Sequence, residues 1–379
     1  MSTEEFNTAP ISDTVLSAVR RWSDFDSTSE EMGRSFEDYH RYLVRKVVFI
    51  MICLLTIFVV AGLAITVGSY NITFTEAYRI LWEHLTNDVQ DTTKDYIVVD
   101  LRAPRIVVGI ITGAGLAVAG VVMQSTLLNP LADPYTTGIS SGASFGATLA
   151  FTAGASITTG QFAIVVNAFV FALIPMAMIL GVSKIKNSSP TMMIMAGIAV
   201  MYIFNALTTV LKLWADPNSL SQLYEWQVGS VSMTSWDEVP IMIVVTLAGI
   251  ISMQIVSRKL NVLATGEESA NALGLNAGQM RMLCLLIVSL MTATIVSFTG
   301  LIGFVGLVAP HIARIFVGAD NRYLIPASAS LGAALLVVAD LVGRIIVQPA
   351  TLQAGVMMAF LGGPMFLWLI MRRQSRVWG

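Results

Sequence analysis

This chain is short of charge: Asp, Glu, Lys and Arg together make up 12% of its 379 residues. A water-soluble domain carries roughly a quarter. That scarcity comes with 55% hydrophobic residues and a mean hydropathy of +0.73. It excludes water as the solvent for most of the surface and leaves the bilayer. The formal net charge is −2, and no basic stretch interleaves with aromatics, which sets aside a nucleic-acid partner. Cysteine is scarce too. Cys53 and Cys284 lie within apolar runs, far apart and outside any CxxC pair, so they are expected as free thiols packed in buried helices. The histidines, His40, His84 and His311, are scattered without metal-ligand spacing, so no metal site is expected. No GxxxxGK[ST] is present, which excludes ATP binding through a P-loop of this chain. The apolar runs contain neither HExxH nor paired carboxylates, so no catalytic set is expected.

Long apolar runs are what the chain does have. A hydrocarbon core about 30 Å thick is crossed by about 20 helical residues. Candidate spans fall near Val47–Gly68, Pro104–Leu127, Tyr135–Thr152, Gln161–Val182, Thr191–Leu213, Trp236–Ile255, Met280–Phe298, Ile302–Val317, Leu324–Val347 and Gln353–Ile370. The expected fold is an all-α integral membrane protein of about ten transmembrane helices. The third and eighth spans are short and glycine-rich, so tilted or partly unwound helices are expected there. Lys184, Lys186, Arg258, Lys259, Arg281, Arg314, Arg322, Arg372, Arg373 and Arg376 fall on one side, whereas the segment 69–101 is mainly acidic. Basic loops stay in the cytoplasm, which places both termini there. Residues 1–46 read as a polar cytoplasmic extension, either weakly ordered or interfacial or carrying short surface helices near Val15–Trp22 and Met32–Leu43, ahead of a transmembrane domain over 47–379.

Asn129-Pro130-Leu131-Ala132-Asp133-Pro134 interrupts a membrane-spanning run. Two prolines and two polar residues cannot continue a helix, and irregular backbone near membrane depth persists only where protein buries it or a wet path lines it. Gly138, Gly142 and Gly146 then repeat at four-residue spacing, a small stripe suited either to close helix packing or to a pore face.

The interior connection 257–279 carries Thr265-Gly266-Glu267-Glu268. Thr265 and Glu268 have capping-box spacing, the glutamates sit in the first turn, and Gly274 is placed to end the helix. So short a helix needs a support. Ala270, Ala272, Leu273 and Leu275 suit it either to a partner's groove or to the membrane surface. On the opposite face Arg102 and Arg105 run against the positive-inside trend, and Asp340 and Arg344 have the i, i+4 spacing of an ion pair. The open readings are an outward basic patch for an acidic partner, or snorkelling anchors plus one salt bridge.

Taken together, Leu101–Arg105, Gly120–Gln124, Asn129–Pro134, Gly138–Ala143, Gly266–Gly274, Gly303–Arg314, Ala339–Arg344 and Gly362–Leu367 resemble the signature of the FecCD-type permeases. These are membrane subunits of importers for iron–siderophore, haem and vitamin B12, and the resemblance covers residues 47–375 in order. It implies the type II ABC importer permease architecture in the cell membrane, working by alternating access. The pathway would form with a second copy of the chain. Two ATP-binding cassette subunits would use ATP-Mg, and this chain would bind no cofactor itself. They would dock on Thr265, Gly266, Glu267, Glu268, Ala270, Ala272, Leu273 and Gly274. An extracytoplasmic substrate-binding protein would engage Arg102, Arg105 and Arg344. The resemblance places a cytoplasmic gate at Asn129 and Leu131 and near Pro190 and Thr191, although Pro190 departs from the small polar residues usual there. Three rivals predict other features: an ion-coupled secondary transporter, carboxylates in the spans; a membrane enzyme, a convergent catalytic set; a scaffold, no capped docking loop.

Overall fold

Among the described residues, ten membrane-region helices appear where the apolar runs predict them. The structure, a computed structural model, describes residues 43–68, 70–186, 189–347 and 350–371, and among these there is no strand. The helices are α1 (Leu43–Thr66), α4 (Ala103–Thr126), α5 (Ile139–Ala153), α6 (Ala163–Lys186), α7 (Pro190–Leu213), α9 (Val239–Ile255), α12 (Ala277–Thr299), α13 (Val305–Val317), α14 (Asn321–Ile346) and α15 (Ala354–Met371). Shorter elements lie between them: α2 (Phe74–Leu85), α3 (Thr92–Asp95), α8 (Pro217–Val228), α10 (Ser257–Leu263) and α11 (Glu267–Ala272). The chain divides into two units, Met1–Val48 and Phe49–Gly379. Residues 1–42, which hold most of the expected extension and its surface helices, and the closing arginines Arg372, Arg373 and Arg376 lie outside the described residues.

Helix α4 is the core of the larger unit. It packs against α9, α12, α13 and α14, and 78% of its most apolar stretch is buried. Helices pack closely in lipid through small residues. A Cβ on Gly113 would overlap the Gly332 backbone of α14, and one on Gly120 would overlap the Gly306 carbonyl of α13. The stripe Gly138–Gly146 is likewise a packing face: side chains at Gly142 and Gly146 would meet the Phe171 and Asn167 carbonyls of α6. Gly120→Ala is therefore expected to lower the yield of folded permease sharply, whereas Gly181→Ala, with nothing within 4 Å of the new methyl, is expected to be neutral. Size-exclusion profiles of the two detergent-solubilised variants decide this.

Three features of the fold have physical causes, the last of them the short eighth span that the sequence predicts. The external segment 69–101 is largely helical. The Glu76 carboxylate accepts the Thr73 N–H at the start of α2, Asp91 caps α3, and Lys94 Nζ donates to Glu76 at 2.5 Å. A π-helix, Tyr96–Arg102, then joins α3 to α4. Between α7 and α9 lies α8, capped by Asp216 with Pro217 in its first turn and ended by Gly229 at φ +76°. Finally, α13 has 13 residues, about 20 Å at 1.5 Å per residue, too short to cross the bilayer. It begins at Phe304, held at φ +67°, with its ring against Gly362 of α15. His311 lies buried in the middle of α13.

Candidate functional site

At the cytoplasmic side the last turn of α4 is gripped by three neighbours. Arg314 of α13 donates to Gln124 Oε1 at 3.0 Å, and Ser125 Oγ donates to Asn321 Oδ1 of α14 at 3.3 Å. Arg281 Nε of α12 donates to the Thr126 carbonyl at 3.2 Å. A cation there suits the negative end of a helix. The same Arg281, 3% exposed, reaches Glu267 Oε2 at 3.0 Å through Nη2, while Glu267 is 44% exposed. One guanidinium thus joins the first turn of α11 to the end of α4. Asn261 of α10 adds a second tie, donating to Asp320 Oδ1 at 2.7 Å and accepting the Asn321 N–H. Burial pulls the Asp320 carboxyl upward, but hydrogen bonds from Arg322 and Asn261 outweigh it and hold the group at about 2.

Helix α11 is present as expected, but its N-terminus is built differently. The capping box of Thr265 and Glu268 does not form. Gly266 is the cap residue at φ +108°, and the Thr265 hydroxyl turns back to the Val262 carbonyl at 2.8 Å, closing α10 instead. Gly274, at φ +79°, ends the helix as predicted, with Gly274 N–H to Asn271 O and Leu275 N–H to Ala270 O, both 3.0 Å. Ala270 is fully buried beneath the helix. Glu268, Ala272 and Leu273 face out, and Leu273 is 71% exposed.

The break after α4 starts immediately beyond Thr126. Leu128 takes φ +50°, the Asn129 side chain accepts the Leu131 N–H at 2.9 Å, and Leu131 is exposed. Asp133 caps the 3-10 turn Pro134–Thr137. Burial pushes its carboxyl up to about 6, against the pull of the Thr136 and Tyr135 N–H groups. The irregular backbone therefore lies between two helices rather than within one span. Pro190 occupies the first turn of α7, whose cap is Ser189, and Thr191 is exposed beside it.

The external arginines do not form an open patch. Arg102 is 6% and Arg344 4% exposed. Arg102 donates to the carbonyls of Ile65, Thr66 and Tyr70 at 2.7–2.9 Å. Arg344 donates to those of Ala64 at 2.8 Å and Val67 at 3.1 Å. Both close the C-terminal end of α1, whose last carbonyls lack helical partners. Asp340 offsets one of the three positive charges and pairs with two of them. Arg105 grips it through Nε and Nη2 at 2.7–3.1 Å, and Arg344 Nη2 lies 3.0 Å from its other oxygen, a coulombic contact rather than an aligned hydrogen bond. The expected Asp340–Arg344 ion pair is thus present, joined by Arg105.

One cavity-lining face was missed in the sequence: Met201, Asn205, Thr208 and Lys212 recur at intervals of four, three and four along α7, the period of a single helix face. With Ser140, Ser144 and Gln227 they line a cavity of about 420 Å³.

The FecCD transport family profile matches residues 52–372. The chain belongs to the FecCD transport family. Among relatives, the chain is 39% identical over 350 residues to the ABC transporter permease protein MJ0087 of Methanocaldococcus jannaschii, covering 90% of this chain and 99% of that one. It is 34% identical to the hemin transport system permease HmuU of Yersinia pestis, covering 82% and 93%. A solved ABC transporter described as of the metal-chelate type, in an inward-facing conformation, superposes with a TM-score of 0.75 at 27% identity, over 86% of this chain and 99% of that one. This FecCD protein is accordingly a multi-pass membrane permease subunit of an ABC transporter, and ATP hydrolysis belongs to a separate subunit.

Proposed function

We propose that this FecCD permease imports a metal chelate by alternating access, pairing with a second copy of itself, two ATP-binding cassette subunits and an external substrate-binding protein. The chelate class follows from relatives named for hemin, iron(3+)-hydroxamate and cobalamin import. The observation that carries the reading is the Glu267–Arg281–Thr126 connection. A six-residue helix with an exposed acidic turn and an exposed Leu273 is a surface for a partner, and Arg281 passes its movement to the end of α4. The break that follows, with Asn129 and Leu131, is the inner gate, and Pro190 and Thr191 flank it. On the outer face the binding-protein contact falls to Arg105, the least buried of the three arginines although it already pairs with Asp340, while Arg102 and Arg344 act by holding the end of α1.

Leu273→Asp and Glu268→Lys test the ATPase surface. Each is expected to leave the permease folded, because both side chains are exposed and neither pairs with the buried Arg281, and to abolish co-purification with the co-expressed ATPase. Wild-type recovery of the ATPase by both variants would exclude α11 as its dock.

A further inference from the structure

We infer that the cavity between α5, α7 and α8 is a water-filled station on the cargo path that selects an anionic, oxygen-rich chelate, with Lys212 as its cation. The inference rests on the permease reading and adds the charge of the cargo to it.

Helix α7 is 22% buried over its apolar stretch, so most of its exterior has no partner within the chain. Asn205 and Thr209 lie on that exterior and are exposed. A polar side chain and above all an ammonium at membrane depth is costly against lipid, so such groups face a bundle interior or a wet cavity. Lys212 stands in the last turn of α7, but Asn205 lies well inside the helix, so the face that carries Asn205, Thr209 and Lys212 is turned from lipid toward the gap that a second copy would close. The cavity is built rather than accidental. Lys212 Nζ donates to Gln227 Oε1 at 3.0 Å and lies 4.7 Å from the centre of the Tyr224 ring, and Gln227 Nε2 donates to Ser144 Oγ at 2.5 Å. This chain of contacts joins α7, α8 and α5 around the opening. None of the residues lining the cavity is acidic, and among the described residues no carboxylate forms an ion pair with Lys212. Hydroxyls, amides and one uncompensated cation attract an anion bearing many oxygens. They repel a cationic complex of the same size.

The test uses the full-length permease assembled with its ATPase in proteoliposomes, with the buried Cys53 and Cys284 changed to Ala. Asn205→Cys and Thr209→Cys are exposed to two water-borne methanethiosulfonates, one with a sulfonate and one with a trimethylammonium group. Both positions should label, while Phe58→Cys on the exposed face of α1 should not. Asn205 is seven residues from Lys212, about 10 Å along a helix. At that range the field of one unit charge acts in opposite directions on the two reagents. Adding Lys212→Gln should therefore lower the anionic-to-cationic rate ratio at Asn205→Cys by about tenfold or more, and Lys212→Arg should keep it. Labelling no faster than at Phe58→Cys, or a ratio unmoved by Lys212→Gln, overturns the site. The readout needs neither cargo nor ATP, so such a failure alongside intact ATP-driven uptake refutes the anion site and leaves the importer standing.

Discussion

Asp340→Ala is expected to destabilise the permease by about 3–5 kcal/mol, the cost of leaving a buried charge without its partner. In this protein two guanidiniums, Arg105 and Arg344, lose their counter-ion at once, and Arg344 also holds the carbonyls of Ala64 and Val67. The end of α1 should loosen with it. A fall in the thermal midpoint of the detergent-solubilised protein measures the effect. Arg105→Leu alone should cost less, because Arg344 still faces Asp340, and Arg105→Leu combined with Asp340→Ala should recover part of the loss. Strict additivity of the two changes would show that the residues do not act as a unit.

Arg281→Met is expected to uncouple the machine rather than unfold it. It removes two charge-assisted hydrogen bonds, to Glu267 and to the Thr126 carbonyl, each worth about 1.5–3 kcal/mol. The ATPase surface on α11 remains, so co-purification and ATP hydrolysis should persist while cargo moved per ATP drops about tenfold or more, since about 1.4 kcal/mol is already a tenfold change in the population of a two-state element. Arg281→Lys should retain only part of the coupling, since an ammonium lacks the fork that spans both acceptors. An unchanged ratio of transport to hydrolysis in Arg281→Met would remove this residue from the transmission route.

The spans were legible because lipid imposes a length and an apolar content on each helix, and the ten runs match ten helices to within a few residues. Gly274 was legible for a local reason, its left-handed turn. Thr265 was not: a T-x-x-E pattern offers a cap, and only the packing of α10 against α11 decides that its hydroxyl serves Val262 instead. The arginines show the same limit. Sequence places Arg102 and Arg344 at outer helix ends, but their targets are main-chain carbonyls at and just beyond the end of α1, 32 to 280 residues away, which no spacing rule encodes. Arg281 counted only toward loop charge for the same reason, since Thr126 is 155 residues distant. The polar stripe from Asn205 to Lys212 could have been found, because its helical period is written in consecutive residues and polar groups at lipid depth call for a reason.

The most direct test is accumulation of a ferric chelate in proteoliposomes that contain this permease with or without its ATPase, with the binding protein outside and ATP within. Uptake should require all three components and persist when an uncoupler dissipates the ion gradients. Accumulation by the permease alone that collapses with the uncoupler would contradict the account.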